Sequence, residues 1–293
     1  MPVQFLNNYP PNQLENYIQH EGKTLYGELW VYQQFIDFNK NKFLPNETWF
    51  LQHDVSLPSH PKSKNKFEGQ MDFLLLTKDG VLVIEVKGGI ISLNNGCFYS
   101  SDQHGNSYEA QDPFRQVSEY KHSLIELMNK PDVFIYQAVV FPHTSFNFNE
   151  TLKSSYDDIL FSREDLKNCE SDYSKNKRFF EFISKLGYKS RRSRLQKTNE
   201  LFKKKRVSFT KEDVYQKYPL LQKKKLQRCK GWLFPTFKSY GFDSAVVNNE
   251  IILNENYDIL RGLLRNRRIM VQGGPGTGKT VLATKFLAYK VIN

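Results

Sequence analysis

Two apolar runs flank a tight turn: Met71–Thr77, then Lys78-Asp79-Gly80, then Val81–Val86. Asp-Gly between apolar runs is a strong hairpin signature, because glycine readily supplies the positive φ such turns need. The run Val81-Leu82-Val83-Ile84 is continuous rather than alternating, which predicts a strand buried on both faces. A strand covered on both faces points to the α/β class. The strand ends in Glu85-Val86-Lys87. Ionisable side chains are costly to place there unless paired or metal-bound.

Glu85 and Lys87 are two residues apart, so their side chains leave one face of the strand. Asp72, on the neighbouring strand, can reach that face. Two carboxylates converging at a sheet edge suit Mg²⁺, a hard cation that prefers oxygen ligands. A lysine beside them can orient water and screen a phosphate's developing charge.

The rest of the first half supports a compact fold. Leu14 to Phe38 has helical spacing, with Gly22 expected to split it into two helices. Asn46 to Leu57 reads as a strand ending at Pro58, and His60 to Lys66 as a polar loop. Ile90 to Tyr108 reads as short strands around Asn94-Asn95-Gly96. Pro113 to Met128 reads as a helix, with Asp112 as N-cap and Pro113 in its first turn. Val133 to Phe141 is a further buried strand. Residues 171–230 are polar, basic and helix-prone, with few apolar anchors.

Charge is unevenly placed. Residues 1–150 carry 11 Lys+Arg against 17 Asp+Glu, residues 151–230 carry 23 against 10, and residues 231–293 carry 8 against 4. The basic part holds Arg191-Arg192-Ser193-Arg194, Lys203-Lys204-Lys205-Arg206 and Lys223-Lys224-Lys225. Such clusters attract a polyanion through phosphate contacts and counterion release. With 39% apolar residues the chain has material for real cores, which excludes a disordered or collagen-like chain. No stretch approaches the ~18 apolar residues of a membrane span, and the start lacks signal-peptide blocks. Three scattered cysteines (Cys97, Cys169, Cys229) give neither a disulfide framework nor metal spacing. The expectation is a cytoplasmic, reduced protein with no membrane partner. His53, His60, His104, His122 and His143 show no metal-ligand spacing and are read as surface or structural.

Asp72 followed by Glu85-x-Lys87 on a hairpin resembles the PD-(D/E)xK nuclease superfamily and, more narrowly, the NERD (nuclease-related) domain. The matching residues are Gly69-Gln70-Met71-Asp72, Gly80 through Gly89, and Asp112-Pro113-Phe114-Arg115-Gln116. Glu28, on a helix upstream, matches a helical glutamate that completes the metal site in many members. Gln116 and Tyr120 match a Gln-x3-Tyr motif and, at i and i+4, share a helix face. The resemblance covers roughly residues 20–145. It implies a restriction-endonuclease-like mixed sheet flanked by helices, and hydrolysis of DNA phosphodiester bonds with Mg²⁺ or Mn²⁺. It further implies that Asp72, Glu85 and the Val86 carbonyl hold the metal, and that Glu28 adds a ligand directly or through water. Lys87 would position the attacking water, while Gln116 and Tyr120 hold the DNA backbone or support Lys87. Gly88-Gly89 would let a duplex backbone come close.

A second motif lies near the end. Gly273-Gly274-Pro275-Gly276-Thr277-Gly278-Lys279-Thr280 satisfies G-x4-G-K-[ST], between a strand expected at Arg268–Gln272 and a helix at Val281–Val291. Gly273, Gly274, Gly276, Thr277 and Gly278 would curl backbone N–H groups round the β-phosphate. Lys279 would reach the β/γ-phosphates and Thr280 a Mg²⁺ ion. ATP is the implied ligand. With the helix expected at Tyr257–Leu264, the segment resembles the start of superfamily 1 helicases. The chain ends 13 residues after Thr280, before any Walker B strand, so an incomplete P-loop unit and no working ATPase are expected.

The expected organisation is a nuclease domain at 1–150, a basic helical linker or DNA-contacting segment at 151–245, and a P-loop fragment at 246–293. The function expected is that of a nuclease forming the front of a nuclease–helicase fusion, in DNA processing or antiphage defence, with DNA and a homo-oligomer or helicase as partners. The alternatives are a nucleotide-binding fragment of a DNA motor and a catalytically silent DNA-binding module.

Overall fold

The computed structural model describes residues 3–7, 9–20, 23–44, 46–57, 69–101, 105–128, 132–145, 156, 158–203 and 208–234. The P-loop at 273–280, the elements expected around it and the loop at 60–66 lie outside the described residues. The chain divides into two compact units, Met1–Leu57 with Gln70–Leu226, and Pro58–Gly69 with Gln227–Asn293. Of the second, the described residues are Gly69 and 227–234, which begin a strand and end a helix.

From the N-terminus, β1 (Val3–Phe5) leads through a 3-10 turn to α1 (Leu14–Tyr17). The hairpin of β2 (Gln19–His20) and β3 (Lys23–Thr24) precedes α2 (Tyr26–Lys40). Then come β4 (Trp49–Leu57), β5 (Gly69–Thr77), β6 (Gly80–Val86), β7 (Ile90–Asn94), β8 (Cys97–Ser101), β9 (Ser107–Ala110), α3 (Pro113–Leu127), β10 (Ile135–Phe141) and β11 (Leu160–Ser162). A 3-10 turn leads on to α4 (Asp172–Lys203), α5 (Lys211–Lys217) and α6 (Lys223–Leu233).

The main sheet has the order β1-β4-β5-β6-β10-β11. It is mixed: β5 and β6 pair antiparallel, whereas β10 runs parallel to β6 and β11 parallel to β10. The expected hairpin is therefore the centre of the sheet. Its turn is Lys78-Asp79, and Gly80 follows with φ +116°. A Cβ at Gly80 would lie 2.0 Å from the Phe134 carbonyl oxygen, so only glycine fits. All seven residues of β6 are buried, as the unbroken apolar run requires. β7, β8 and β9 form a separate antiparallel sheet.

The two faces of β6 have different cover. Leu82, Ile84 and Val86 join Phe73 and Leu75 under Val31, Tyr32, Phe35 and Phe38 of α2. Each large apolar side chain buried there contributes roughly 1.5–3 kcal/mol. By strand alternation Val81, Val83 and Glu85 face the other side, where α3 packs on β6 and β10. α3 begins where expected: Pro113 opens it and the Asp112 carboxylate accepts from the Phe114 and Arg115 N–H groups.

Two expectations change. Leu14 to Phe38 is not a helix pair split only at Gly22. α1 is one turn long, and the β2–β3 hairpin (Gln19 opposite Thr24, His20 opposite Lys23) stands before α2. Ile18 is fully buried and its carbonyl accepts from Leu25 N–H, so the apolar spacing across this stretch serves a turn rather than a helix. Residues 171–230 are helical, but they are better anchored than their composition suggests. Phe179, Ile183 and Leu186 of α4 belong to the same core as the sheet. Asn176 donates to both the backbone and side-chain carbonyls of Gln34 on α2. Cys97 and Cys169 are free thiols, and Cys229 is buried. Among the described residues no helix is long and apolar enough to cross a membrane.

Candidate metal centre

Phe73 pairs with Ile84 across the hairpin, so one step further Asp72 stands opposite Glu85. Residues directly opposite on adjacent strands share a face. Asp72 Oδ2 accepts the Val86 N–H at 2.6 Å, which fixes its carboxylate at the end of β6. Glu85 is 1% exposed. Its Oε1 lies 2.7 Å from Lys87 Nζ. Its Oε2 is buried and makes no hydrogen bond among the described residues.

Lys87 also donates to Gln116 Oε1 at 3.0 Å, and Gln116 Nε2 donates to the Tyr120 hydroxyl at 3.1 Å. The one-face spacing of Gln116 and Tyr120 on α3 thus becomes a bracket for the lysine. The Lys87 ammonium can only donate, so it draws the Gln116 Oε1 toward itself and leaves Nε2 for the Tyr120 hydroxyl.

Glu28 comes from the first turn of α2. That turn is pressed onto the end of β6: a Cβ at Gly27 would lie 2.9 Å from Gly88 Cα and 3.2 Å from Val86 Cγ1. Gly88 was expected to make room for a duplex; its close neighbour is Gly27 instead. Gly89 has φ +77°, and a Cβ there would lie 2.9 Å from the Ser101 carbonyl oxygen. Gly89 therefore serves the entry to β7, where backbone fills the space a side chain would need, whereas a Cβ at Gly88 would lie in ordinary contact, 3.4 Å from the Gly27 nitrogen.

Glu28 Oε2 lies 2.6 Å from His53 Nε2. His53 is 3% exposed on β4 and continues the buried line of Trp49 and Leu51. Its Nδ1 faces the Tyr9 hydroxyl at 3.3 Å, and its backbone N–H donates to Asn7 Oδ1 at 2.6 Å. No motif pointed to His53, Tyr9 or Asn7. The one sequence signal was the period-2 alignment of His53 with Trp49 and Leu51.

The electrostatics tie these groups together. Burial, then Glu85 and Glu28, push the Asp72 carboxyl well above the usual carboxylate range, against the pull of Lys87 and the Val86 N–H. Burial lifts the Glu85 carboxyl to about 7, with Lys87 opposing the rise and Glu28 adding to it. Burial would lower Lys87, yet Glu85 and Asp72 hold its ammonium above the ordinary lysine value. Three carboxylates act on one another here, with one lysine among them. Such a site is short of positive charge, and the unpartnered Glu85 Oε2 supplies a buried acceptor. That donor set fits a divalent cation with oxygen ligands. Among the described residues no three His, Cys, Asp or Glu side chains are already closed up as a metal site. The acids come as the Asp72–Glu85 pair, with Glu28 held at His53.

No curated protein and no solved structure matches the chain. A family model does match, described as the nuclease-related domain, NERD, over residues 23–142. The matched span contains Glu28, Asp72, Glu85, Lys87, Gln116 and Tyr120, whereas Asn7, Tyr9 and α4 lie outside it. The chain thus carries a nuclease-related domain at residues 23–142.

Proposed function

We propose that this domain is a divalent-metal-dependent nuclease that hydrolyses phosphodiester bonds of DNA. The observation that carries the reading is Glu85: a carboxylate sealed in the central strand, one oxygen unpartnered, opposite Asp72 and beside Lys87. Asp72, Glu85 and the Val86 carbonyl would hold Mg²⁺ or Mn²⁺, with Glu28 as a further ligand, directly or through water. When bound, such an ion lowers the pKa of water and neutralises charge in the transition state.

The chain's own residues do the remaining work. The Val86 N–H fixes Asp72 Oδ2. Tyr120 accepts from Gln116, and Gln116 holds the Lys87 ammonium at the site, where it can donate to water or to a phosphate oxygen. Lys121 of α3, Arg194 and Lys197 supply a candidate phosphate contact. Lys121 is half-buried, and burial, then Arg194 and Lys197, lower its pKa. None of the three pairs with a carboxylate among the described residues. Lys121 is five residues from Gln116, about 7.5 Å along the helix at 1.5 Å per residue. The P-loop pattern at Gly273–Thr280 supports nucleotide binding in the same chain, and with it a place in a nuclease–helicase fusion for DNA processing or antiphage defence.

The test is cleavage of labelled DNA with Mg²⁺ or Mn²⁺ by wild type, Glu85→Gln and Lys87→Ala. Wild type should cut, and each variant should lose about a hundredfold or more, the scale of removing a group that acts in the transition state. Equal cleavage by wild type and both variants would remove this site from the mechanism. Salt-sensitive DNA binding with no cleavage under any metal would leave a silent DNA-binding module.

A further inference from the structure

Glu28 reaches the site from a helix, not from the hairpin, and something must hold its flexible side chain. The contacts round His53 do so. The imidazole is 3% exposed, lies 4.8 Å from the Phe73 ring centroid and meets Tyr9 and Tyr32 edge-on. It has no room to swing. Its two nitrogens are both engaged, Nε2 with Glu28 Oε2 at 2.6 Å and Nδ1 with Tyr9 OH at 3.3 Å. Tyr9 OH accepts from Asn7 Nδ2 at 3.2 Å, and Asn7 Oδ1 accepts the His53 backbone N–H at 2.6 Å.

These bonds run in one direction. The Asn7 amide donates to the Tyr9 oxygen, the Tyr9 hydroxyl is free to donate to Nδ1, and Nε2–H then donates to Glu28. A carboxylate oxygen can only accept, so the hydrogen between His53 and Glu28 Oε2 lies on Nε2. With the proton on Nδ1, Nε2 would have to face a carboxylate with no hydrogen between them. Outer partners of this kind orient metal ligands, and losing one typically costs about 10–100-fold in metal affinity or activity.

We propose that His53 is the positioning residue of the metal centre: Asn7, Tyr9 and the surrounding rings hold the imidazole in place, and its Nε2–H holds Glu28 within reach of the Asp72–Glu85 pair. The inference rests on the metal-dependent reading above. It also extends the site beyond the matched domain, because Asn7 and Tyr9 precede residue 23.

The experiment uses the full chain and two readouts. Nitrogen-15 NMR of labelled histidine reports the tautomer without metal. Calorimetric titration with Mn²⁺ reports affinity for wild type, His53→Ala, His53→Gln and Tyr9→Phe, each checked for folding by circular dichroism. The expected results are a protonated Nε2 in wild type and Mn²⁺ affinity down about tenfold or more in His53→Ala. Tyr9→Phe, which keeps the ring but removes the hydroxyl facing Nδ1, should lose about threefold or more. His53→Gln, whose amide can still donate to Glu28, should recover most of the loss. If His53→Ala does not fold, Tyr9→Phe and His53→Gln decide. Wild-type affinity in folded Tyr9→Phe and His53→Ala, or an unprotonated Nε2 in wild type, overturns the inference. If wild type binds no Mn²⁺ yet shows the Nε2–H tautomer, the metal-dependent reading fails and the imidazole clamp stands as a structural feature alone.

Discussion

Glu85 is the residue on which charge and burial conflict most sharply. Its carboxyl rises from 4.5 to about 7 because the strand around it is dry. A carboxyl whose folded pKa exceeds its unfolded one binds its proton more tightly when folded. Its contribution to stability is therefore fully present below the unfolded pKa and is lost as pH climbs through the folded one. For metal-free protein the loss amounts to at most about 3.5 kcal/mol, at about 1.4 kcal/mol per unit. Urea unfolding of chelator-treated wild type and Glu85→Gln checks this: from about pH 5 to about pH 8 the variant should gain on wild type by up to that amount. A constant difference would contradict the burial argument. Asp72, Glu85 and Lys87 were legible in the sequence because a hairpin fixes which residues share a face. His53 was not. It meets Glu28 across two elements 25 residues apart, and no spacing rule covers a strand-to-helix contact.

At the scale of elements, the site depends on how α2 and α4 are fastened to the hairpin. Gly27 and Gly88 bring two backbones together, so Gly27→Ala should overpack the joint and cost about 1–3 kcal/mol. It should also weaken Mn²⁺ binding, since Glu28 is the next residue. Thermal melts and a titration read both effects. At the other end of the hairpin Arg191 is fully buried. It donates to Asp79 Oδ1 at 3.0 Å, to the Asp79 carbonyl, to Gly187 O at 3.1 Å and to Tyr218 O at 3.0 Å, and lies 4.5 Å from the Phe134 ring centroid. Gly187 admits the turn, because a Cβ there would lie 2.7 Å from Asp79 Cβ. Arg191→Ala removes a fully buried guanidinium and leaves the half-buried Asp79 carboxylate without it, and should cost about 3–5 kcal/mol by denaturant unfolding. A cost under about 1 kcal/mol would mark the pair as a surface contact. The hairpin, the Asp112 cap and α3 were readable from local chemistry. The β2–β3 insertion was hidden because Leu14, Ile18 and Leu25 keep helix-like spacing across a turn. α4's anchors were hidden because Phe179, Ile183 and Leu186 are diluted among 32 mostly polar residues.

Over the whole molecule, the acidic first half and the basic segment after it divide the proposed work between metal and phosphate. Charge counting showed that the basic segment exists. It could not show that Arg191 is buried inside the fold whereas Arg194 and Lys197 act on Lys121. If those three cations contact the nucleic-acid backbone, replacing all three by Ala weakens DNA binding and lowers the slope of log affinity against log salt by roughly 3, about one per phosphate contact. Mn²⁺ affinity should not change. An unaltered salt slope in fluorescence-anisotropy titrations would move the DNA path elsewhere on the molecule.

The most direct examination of the central claim is an anomalous-difference map from crystals of the full chain soaked in Mn²⁺. The account predicts one or two strong peaks between the carboxylates of Asp72 and Glu85. Density at another place, or none there at millimolar metal, contradicts it.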